Sequence, residues 1–428
     1  MLGLKKNLVS SYDYIYMIIM VIYMGQMTED TARMVGGLSG NPIPFIIPII
    51  TTLVFTVNHH ISFRNKNLWV IICLFLVWSF AVVIKKTLFS TQELSFYFFL
   101  FYAIIVAYVH VQGFGQKLFP CFEEVMVLFC KIAFVLWTLF NIFPSVASLL
   151  MHQFPETVNG NRIWYVFNWM DPAKLQIYRN AGLSWEPGRF AVMILPAIAI
   201  NLSRNGIKFK SNSNIIWLLL ALVSTMSTTG YVTGLLLYSL YYVKTINIKT
   251  AAMYLLVFVP IIYFLSSLDF MGEKLRKRFD VQTIVDERMV SIDYVNTQSD
   301  YDEYHASLDR FESIYFEFIY NIPHDPLIGY GKNTAHSYYS EKISKAFTLT
   351  GGLLKLVGQL GVPLGLYIYV LLYKSSVAIS EESNEKRKWA IFLVLIMSSV
   401  SYVIQFIPIY TAFWFYGLFK DTSPKKRI

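Results

Sequence analysis

Long apolar stretches alternate with shorter polar ones along most of the chain. Many of these stretches approach the roughly 20 residues that an α-helix needs to cross the hydrocarbon core of a bilayer. A spanning α-helix hydrogen-bonds all of its backbone groups within one segment, as the bilayer interior demands. The pattern therefore predicts an all-α fold, a polytopic integral membrane bundle of about twelve transmembrane helices.

The predicted spans are separated by short connections except at two places. They cover approximately residues 12–25, 42–58, 68–84, 94–112, 130–150, 189–203, 214–227, 230–243, 250–267, 350–373, 389–406 and 407–419. Two long segments remain, at 151–188 and 268–348. Loops much longer than about 15 residues usually have a function or are disordered. The first segment is rich in Trp, Tyr and Phe and the second in Tyr and Phe, which indicates that they pack.

Composition agrees with a membrane protein. Of the 428 residues, 55% are hydrophobic and only 15% are charged, against about 25% charged residues in soluble domains. The three cysteines, Cys73, Cys121 and Cys130, lie in or beside apolar stretches and form no Cys-x-x-Cys pair. Neither a disulfide framework nor a zinc site is therefore indicated. No Gly-rich phosphate loop or Walker pattern occurs, so no nucleotide cofactor is predicted.

The distribution of positive charge predicts the orientation. A net charge of +9 would suggest nucleic acid in a soluble protein, but here the basic residues concentrate in short loops. With the N-terminus in the cytoplasm, the short inner segments hold eighteen Lys and Arg, and the short outer ones hold only Arg33, Lys85 and Lys86. The positive-inside rule then predicts that both termini are cytoplasmic and that both long segments lie outside. No small-residue cleavage site follows the first apolar stretch, so we expect the first span to be uncleaved.

The first long segment ends in RNAGLSWEPGRF, residues 179–190, just before the sixth span. Pro187 biases Glu186 toward an extended backbone, so we expect Glu186 at the N-terminus of the helix that follows. There its carboxylate either complements the helix dipole or acts as a base at the membrane surface. The aromatic residues of this segment, notably Trp164, Trp169 and Trp185, either anchor it at the headgroups or stack on sugars.

The second long segment contains several candidate features. A basic cluster at 274–278 anchors the segment at the interface or attracts a phosphorylated lipid head. An amphipathic helix is predicted to rest on the membrane or on the bundle. Its apolar face comprises Leu308, Phe311, Ile314, Tyr315, Phe318 and Ile319. Arg310 lies on another side, and His336 follows a turn at Gly329 and Gly331. A D-x-D match at 300–302 is too common to assign a metal, and none is predicted.

Hydroxyl side chains cluster at the outer end of the seventh span, between Ser224 and Thr229. Such groups either satisfy backbone atoms at a tight turn or line a cavity. The sequence leaves both interpretations open.

Three stretches together resemble the Wzy-type O-antigen and capsule repeat-unit polymerases, in the superfamily that also contains the O-antigen ligases. YRNAGLSWEPGRFA resembles that family's R-x-x-G-x-x-x-E-P stretch, and STTGYVTGLLLY resembles its short paired spans. DRFESIYFEFIYNIPHDPLIGYGKNTAHSYY resembles its long outer loop, with an arginine, a P-L-x-G-x-G turn and a histidine. The chain departs from the family at Thr228 and Thr229, where many relatives carry an arginine after the serine, and at Ser337, where many have asparagine.

The resemblance implies one GT-C-like polymerase domain over residues 1–428, in the cytoplasmic (inner) membrane of a bacterium. Donor and acceptor would be polyprenyl-diphosphate-linked oligosaccharides, with no metal or cofactor, and with a flippase and a chain-length regulator as further partners. It implies that Arg179, Arg310 and Arg189 contact the diphosphate. It also implies that Glu186 or His336 is the general base, and that Trp164, Trp169 and Trp185 hold sugars.

Three other functions remain open at this point. A ligase would move finished polymer to a second acceptor, although the glycines at 351–352 do not fit the ligase spacing. A lipid-linked oligosaccharide flippase would also have about twelve spans, but transporters typically show broken or charged helices and internal repeats. Few charges fall within the predicted spans and no repeat is evident. A structural membrane partner is the third alternative.

Overall fold

A computed structural model describes residues 10–26, 43–86, 91–154, 161–164, 166–170, 179–242, 306–307, 310–343, 347–348, 352–382, 387–401, 404 and 406–420. These residues are mostly helical. The helices are α1 (Ser11–Gln26), α2 (Ile43–Asn58), α3 (Lys66–Lys86), α4 (Thr91–Phe114), α5 (Leu118–Ile142), α6 (Pro144–Met151), α7 (Pro187–Asn205), α8 (Asn214–Ser224), α9 (Thr228–Tyr242), α10 (Arg310–Phe316), α11 (Leu353–Leu360), α12 (Val362–Glu382), α13 (Ala390–Ser401) and α14 (Pro408–Phe419).

Short strands and turns complete the described elements. Strands β1 (Asn161–Trp164) and β2 (Phe167–Met170) form an antiparallel hairpin, and β3 (Ala306–Ser307) pairs in parallel with β4 (Phe347–Thr348). Helix α10 continues through a π-helical turn, Glu317–Asn321, into a last turn, Ile322–His324. A 3-10 turn (Thr334–His336) and a second π-helical turn (Tyr339–Ile343) follow.

Apolar helices long enough to cross a membrane are present. Among the described residues, three stretches qualify by length and composition: Lys66–Lys86, Tyr97–Ile142 and Val362–Glu382. The second stretch contains most of α4 and all of α5, which are separated by a 3-10 turn at Gly115–Lys117. Shorter apolar helices, such as α8, accompany them. The helices are thus compatible with a membrane protein, while the count of twelve spans stays a prediction.

Two helices form the centre of the bundle. Helix α7 is buried on all sides from Pro187 to Leu202, and α14 is buried from Pro408 to Tyr416. Helix α14 packs between α4 and α12, and α7 packs against α5, α8, α9 and α13. Because both are mainly apolar and are buried on all sides, they belong inside the bundle. The hydroxyl of Tyr410 donates to the Val192 carbonyl (2.9 Å) and so joins the two central helices.

Contacts between helix ends define two ends of the bundle. At one end, called here the basic end, the start of α3 and the end of α4 meet the end of α14. There the Asn67 amide donates to the Leu418 carbonyl at 2.9 Å. The opposite end is the loop end, where the start of α7 meets the end of α1 through a bond from Arg189 to the Met24 carbonyl. Successive long helices alternate in direction between these ends.

The fifth predicted span is misplaced. The sequence places it at 130–150, yet α5 begins at Leu118 and ends at Ile142. The prediction fails because Glu123 resembles a loop residue but is 1% exposed inside the bundle. There its carboxylate pairs with Arg204 and accepts a hydrogen bond from the Asn201 amide at 2.6 Å.

Two other spans compare differently with the structure. The tenth predicted span, 350–373, is broken at Gly361 into α11 and α12. The ninth, 250–267, lies outside the described residues. Helix α14 begins at Pro408, next to the predicted start at 407.

We expect Glu123→Ala to lower the free energy of unfolding by about 3 kcal/mol, the low end of the range for breaking a buried ion pair, because Arg204 is partly exposed. The matched control is Glu124→Ala, since Glu124 is exposed on the same turn of α5. Denaturant titration of the purified protein in detergent measures both variants. Equal losses in the two would show that the Glu123–Arg204 pair does not stabilise the fold.

Candidate functional site

The connector, defined here as residues 179–190, is packed against the loop end. Asn180, Leu183 and Ser184 are fully buried in it. Gly182 has φ +53°, and a Cβ there would lie 2.4 Å from the Phe190 ring. Only glycine fits this combination of positive φ and close packing. The connector therefore has one defined path into α7.

Arg179 covers the end of α8. Its Nε donates to the Thr225 carbonyl and its Nη2 to the Met226 carbonyl, both at 3.1 Å. The next residue, Asn180, donates from its amide side chain to Ser224 Oγ at 2.8 Å. The last carbonyls of a helix lack intrahelical partners and carry partial negative charge. Arg179 thus holds its half-buried guanidinium at a helix C-terminus.

The hydroxyl cluster at the end of α8 satisfies backbone atoms. Ser224 Oγ donates to the Ala221 carbonyl at 2.8 Å, and Thr225 Oγ1 donates to the Leu222 carbonyl at 2.7 Å. Of the two interpretations of the cluster, these bonds support the one in which hydroxyls close a tight turn.

Arg189 points into the protein. Arg189 is 5% exposed, and its Nη2 donates to the Met24 carbonyl at 3.1 Å. The guanidinium carbon lies 5.9 Å from the centre of the Trp185 ring, within cation–π distance. Arg189 therefore ties α7 to α1 and supports Trp185, instead of extending toward lipid headgroups.

Glu186 stands at the N-cap position of α7, as expected. Its backbone is extended, with φ −140° and ψ 138°, and Pro187 opens the helix. Its carboxylate makes no capping hydrogen bond to the helix. Glu186 is half-buried. The Glu186 side chain therefore does not cap α7 in this structure.

The β1–β2 hairpin is attached to the connector. The Asn168 amide N–H donates to the Gly182 carbonyl at 2.6 Å. Trp169 is 2% exposed and lies against His152. Within the described residues, the Asn168 side-chain amide, Trp169 Nε1 and Ser184 Oγ are buried and have no hydrogen-bond partner. Buried polar atoms are nearly always paired, so such a group calls for water or a ligand.

His336 belongs to a second set of contacts, at the end of α3. Lys86 Nζ donates to the His336 carbonyl at 3.1 Å, and His336 Nδ1 lies 4.0 Å from Glu341. Lys85 and Lys86 also pair with Asp325. The two lysines that depart from the positive-inside pattern are therefore neutralised by carboxylates of the second long segment.

A junction, defined here as residues 326–331 with 358–362, joins the second segment to the break between α11 and α12. Tyr330 N–H donates to the Gly358 carbonyl (3.0 Å), and Gly331 N–H donates to the Gln359 carbonyl (3.1 Å). Val362 N–H donates in return to the Pro326 carbonyl (2.7 Å).

Glu317 is buried beside this junction, and sequence reasoning missed it. Its carboxylate accepts hydrogen bonds from the Tyr330 hydroxyl (2.7 Å) and the Asn321 amide (3.0 Å). The only sequence signal was the P-L-x-G-x-G turn, in which Gly329 permits the close approach to Gly358 and Gln359.

The structure brings some predicted site residues together. Arg179, Trp185, Glu186 and Arg189 share the connector, and Trp169 reaches it through the hairpin. His336 lies with Lys86 and Glu341 instead. The backbones of Arg310 and Trp164 start α10 and end β1, whereas their side chains, the basic cluster at 274–278 and the D-x-D at 300–302 lie outside the described residues. No group of three metal-ligating side chains occurs among the residues that the structure describes.

Comparison with models of known protein families finds no match to this chain, and comparison with curated proteins finds none either.

We expect Gly329→Ala to destabilise the protein by about 2 kcal/mol more than Gly206→Ala. The added methyl group displaces the bonds from Tyr330 N–H and Gly331 N–H to the 358 and 359 carbonyls, each of which contributes about 1 kcal/mol. Both glycines have similar positive φ, +76° and +70°. A Cβ at Gly329 would lie 2.2 Å from the Gln359 carbonyl oxygen, whereas one at Gly206 meets nothing within 4 Å. Thermal unfolding in detergent compares the two. Equal shifts would mean that only the backbone conformation matters and that the junction contributes nothing.

Proposed function

We propose that this protein is a glycosyltransferase that polymerises polyprenyl-diphosphate-linked oligosaccharide repeat units into O-antigen, capsule or exopolysaccharide chains. One observation carries the proposal: a rigid connector at the loop end holds Arg179, Glu186 and Trp185 at the start of a buried helix. In the proposed orientation the basic end faces the cytoplasm and the loop end faces outward, as the positive-inside rule requires. The membrane would be the bacterial cytoplasmic membrane, with both termini inside.

The reaction needs groups of the kind that the connector holds. The acceptor hydroxyl oxygen attacks the anomeric carbon of the donor, and the carbon–oxygen bond to the diphosphate breaks with both electrons leaving on the diphosphate. Arg179 would stabilise that developing charge, because a fixed guanidinium binds phosphate through charge-assisted hydrogen bonds. Arg310 would contribute a second guanidinium. The buried Arg189 would act by supporting Trp185.

The proton of the acceptor hydroxyl would pass to Glu186. A general base must lie within hydrogen-bond reach of the proton it removes. Glu186 lies on the same connector as Arg179, and its carboxylate is not used to cap α7. His336, the other candidate, stands with the Lys86 cluster. These placements favour Glu186 as the base.

Sugar binding has support from the hairpin. Sugars present many hydroxyl groups, which both donate and accept hydrogen bonds. The buried Asn168 side chain, Trp169 Nε1 and Ser184 Oγ offer donors and acceptors that the described protein leaves unpaired. Trp185 would stack on a sugar face. Trp164 and the buried Trp169 keep the predicted sugar-binding role in this proposal.

The transporter alternative depends on interrupted helices, and α11–α12 is interrupted at Gly361. In transporters the unpaired groups of such a break bind the substrate. Here carbonyls of Gly358 and Gln359 accept bonds from 330–331, and Val362 N–H donates to Pro326. Since the protein itself uses these groups, the break gives no support to transport.

Purified protein supplied with lipid-linked repeat units in detergent should produce a ladder of lengthening glycans. The reason is that a polymerase needs only donor and acceptor of one kind. Gel electrophoresis of the labelled glycan detects the ladder. Transfer only to an added second acceptor would identify a ligase, and no new glycosidic bond would leave a transporter or a structural partner.

We expect Arg179→Ala and Glu186→Gln each to lower the polymerisation rate at least ~10²-fold, as loss of a charge-stabilising donor or a general base does. Arg310→Ala should act like Arg179→Ala, and His336→Ala should retain most activity. Rates are measured at equal expression in the same assay.

Two controls separate chemistry from folding. Lys342→Ala removes an exposed charge at the loop end and should leave the rate unchanged. Asn180→Ala removes a second hydrogen bond from the connector to α8. If Arg179 has only a structural role, Asn180→Ala and Arg179→Ala should lower the polymerisation rate equally. Full activity in Arg179→Ala and Glu186→Gln would refute the site assignment.

A further inference from the structure

Part of the second long segment runs along α3 from the C-terminal end of that helix toward its middle, and then returns to the same end. Asp325 pairs with Lys85 and Lys86 at the end of α3. Three residues later, the Ile328 carbonyl accepts a hydrogen bond from Trp78 Nε1 at 2.8 Å. The chain then rises again, and the His336 carbonyl accepts a bond from Lys86.

A contact between these two points shows the path by which the chain returns to the end of α3. Gly331 lies beside Val82, since a Cβ there would be 2.7 Å from Val82 Cγ1. Val82 stands one turn above Trp78 and one turn below Lys86. Along α3 the segment therefore descends to Trp78, passes Val82 and returns to the helix end.

The descent is deep on the scale of a bilayer. Trp78 and Lys85 are seven residues apart, which is about 10 Å along a helix axis. The whole of α3 has 21 residues, about 30 Å, which matches the hydrocarbon thickness. Side chains on a helix lean toward its N-terminus, so the Trp78 ring lies no higher than its own Cα. The Ile328 carbonyl thus lies at the level of the Trp78 ring, below the lysines that end α3.

The backbone of the segment is suited to that depth. Irregular backbone within a bilayer is tolerated only where protein satisfies its polar groups. The Gly329 N–H donates to the Asp325 carbonyl, and the junction pairs 326, 330 and 331 with 358–362. The Trp78 bond satisfies the Ile328 carbonyl.

Apolar side chains of the same segment point away from the protein. Leu327 is 74% exposed, Phe318 is 64% exposed and Ile319 is 39% exposed. The face of α10 and its π-helical turn that packs inward instead carries Ser313, Phe316, Glu317 and Asn321. The exposed Phe318 and Ile319 thus depart from the pattern of a surface helix, whose apolar stripe faces the core.

The exposed residues continue an apolar face of α3. On that helix Val77, Phe80 and Ile84 are each 65% or more exposed, at helical spacing. Helix α3 is long and apolar enough to span a membrane, and in that position this face would contact lipid. Leu327 lies between the levels of Trp78 and Lys85, which are the levels of Phe80 and Ile84.

We infer that residues 317–331 form a re-entrant membrane segment, and that Phe318, Ile319 and Leu327 contact the acyl chains of the leaflet at the loop end. The ion pairs of Asp325 with Lys85 and Lys86 mark the membrane surface where the segment enters. The inference concerns how the segment sits in the bilayer and holds whether or not the protein is a polymerase.

Spin labels on introduced cysteines test this in vesicles of phosphatidylethanolamine and phosphatidylglycerol. The background is Cys73→Ala, because Cys73 is exposed while Cys121 and Cys130 are buried. The test variants are L327C and F318C. F80C is the reference in lipid, and K342C is the reference in water. Collision rates with oxygen and with a neutral nickel chelate report depth.

Labels at 327 and 318 should match the F80C label, with high oxygen and several-fold lower nickel collisions than the K342C label. Nickel collisions equal to those of K342C would overturn the inference. Dipolar broadening between labels would also overturn it, because it would mean that a second copy of the chain covers the surface.

A photoreactive benzoylphenylalanine in place of Ile319 gives an independent readout if labelling disturbs folding. Cross-linking to phospholipid, identified by mass, is the expected result. Cross-linking to protein alone would contradict the inference.

Discussion

Backbone hydrogen bonding is the constraint on which the rest of this structure depends. A spanning helix leaves amide and carbonyl groups unpaired at its ends, and the bilayer interior provides no water to pair with them. This chain meets the need with polar side chains from distant positions. Asn67 donates to Leu418 at the basic end, and Arg179 donates to Thr225 and Met226 at the loop end. The few polar residues of an apolar chain are thus concentrated where helices stop.

The same constraint gives the candidate site its rigidity. An arginine bonded through Nε and Nη2 to two carbonyls has a fixed orientation, and fixed charges stabilise a transition state without reorganising. A structural role for Arg179 therefore favours a catalytic role instead of competing with it. Glu186 gains a similar benefit from Pro187, because the extended backbone and the helix start determine where its carboxylate begins.

Local sequence patterns predicted those features that depend on local physics. The Pro187 start of α7, the N-cap position of Glu186 and the helical character follow from hydrophobic periodicity and turn chemistry. The start of α5 could not be predicted, because the burial of Glu123 depends on Arg204, which is 81 residues away. The break at Gly361 also depends on distant chain, since Leu327 approaches it closely. The composition of α10 predicted a helix but could not tell that its apolar face would point outward.

The start of α14 lies close to both the junction and the beginning of α7. Lys332, the residue after the junction, holds its ammonium 5.7 Å from the Phe406 ring centre, just before α14. One turn later Tyr410 is bonded to Val192, at the start of α7 where the connector ends. The proposed reaction between two lipid-linked sugars would require groups held in a fixed geometry, because small displacements cost large factors in rate. Helix α14 carries none of the candidate catalytic residues, yet the chain from Phe406 to Tyr410 contacts the residue after the junction and the start of α7. Because α14 is buried from Pro408 to Tyr416, its packing helps to position both of these contacts.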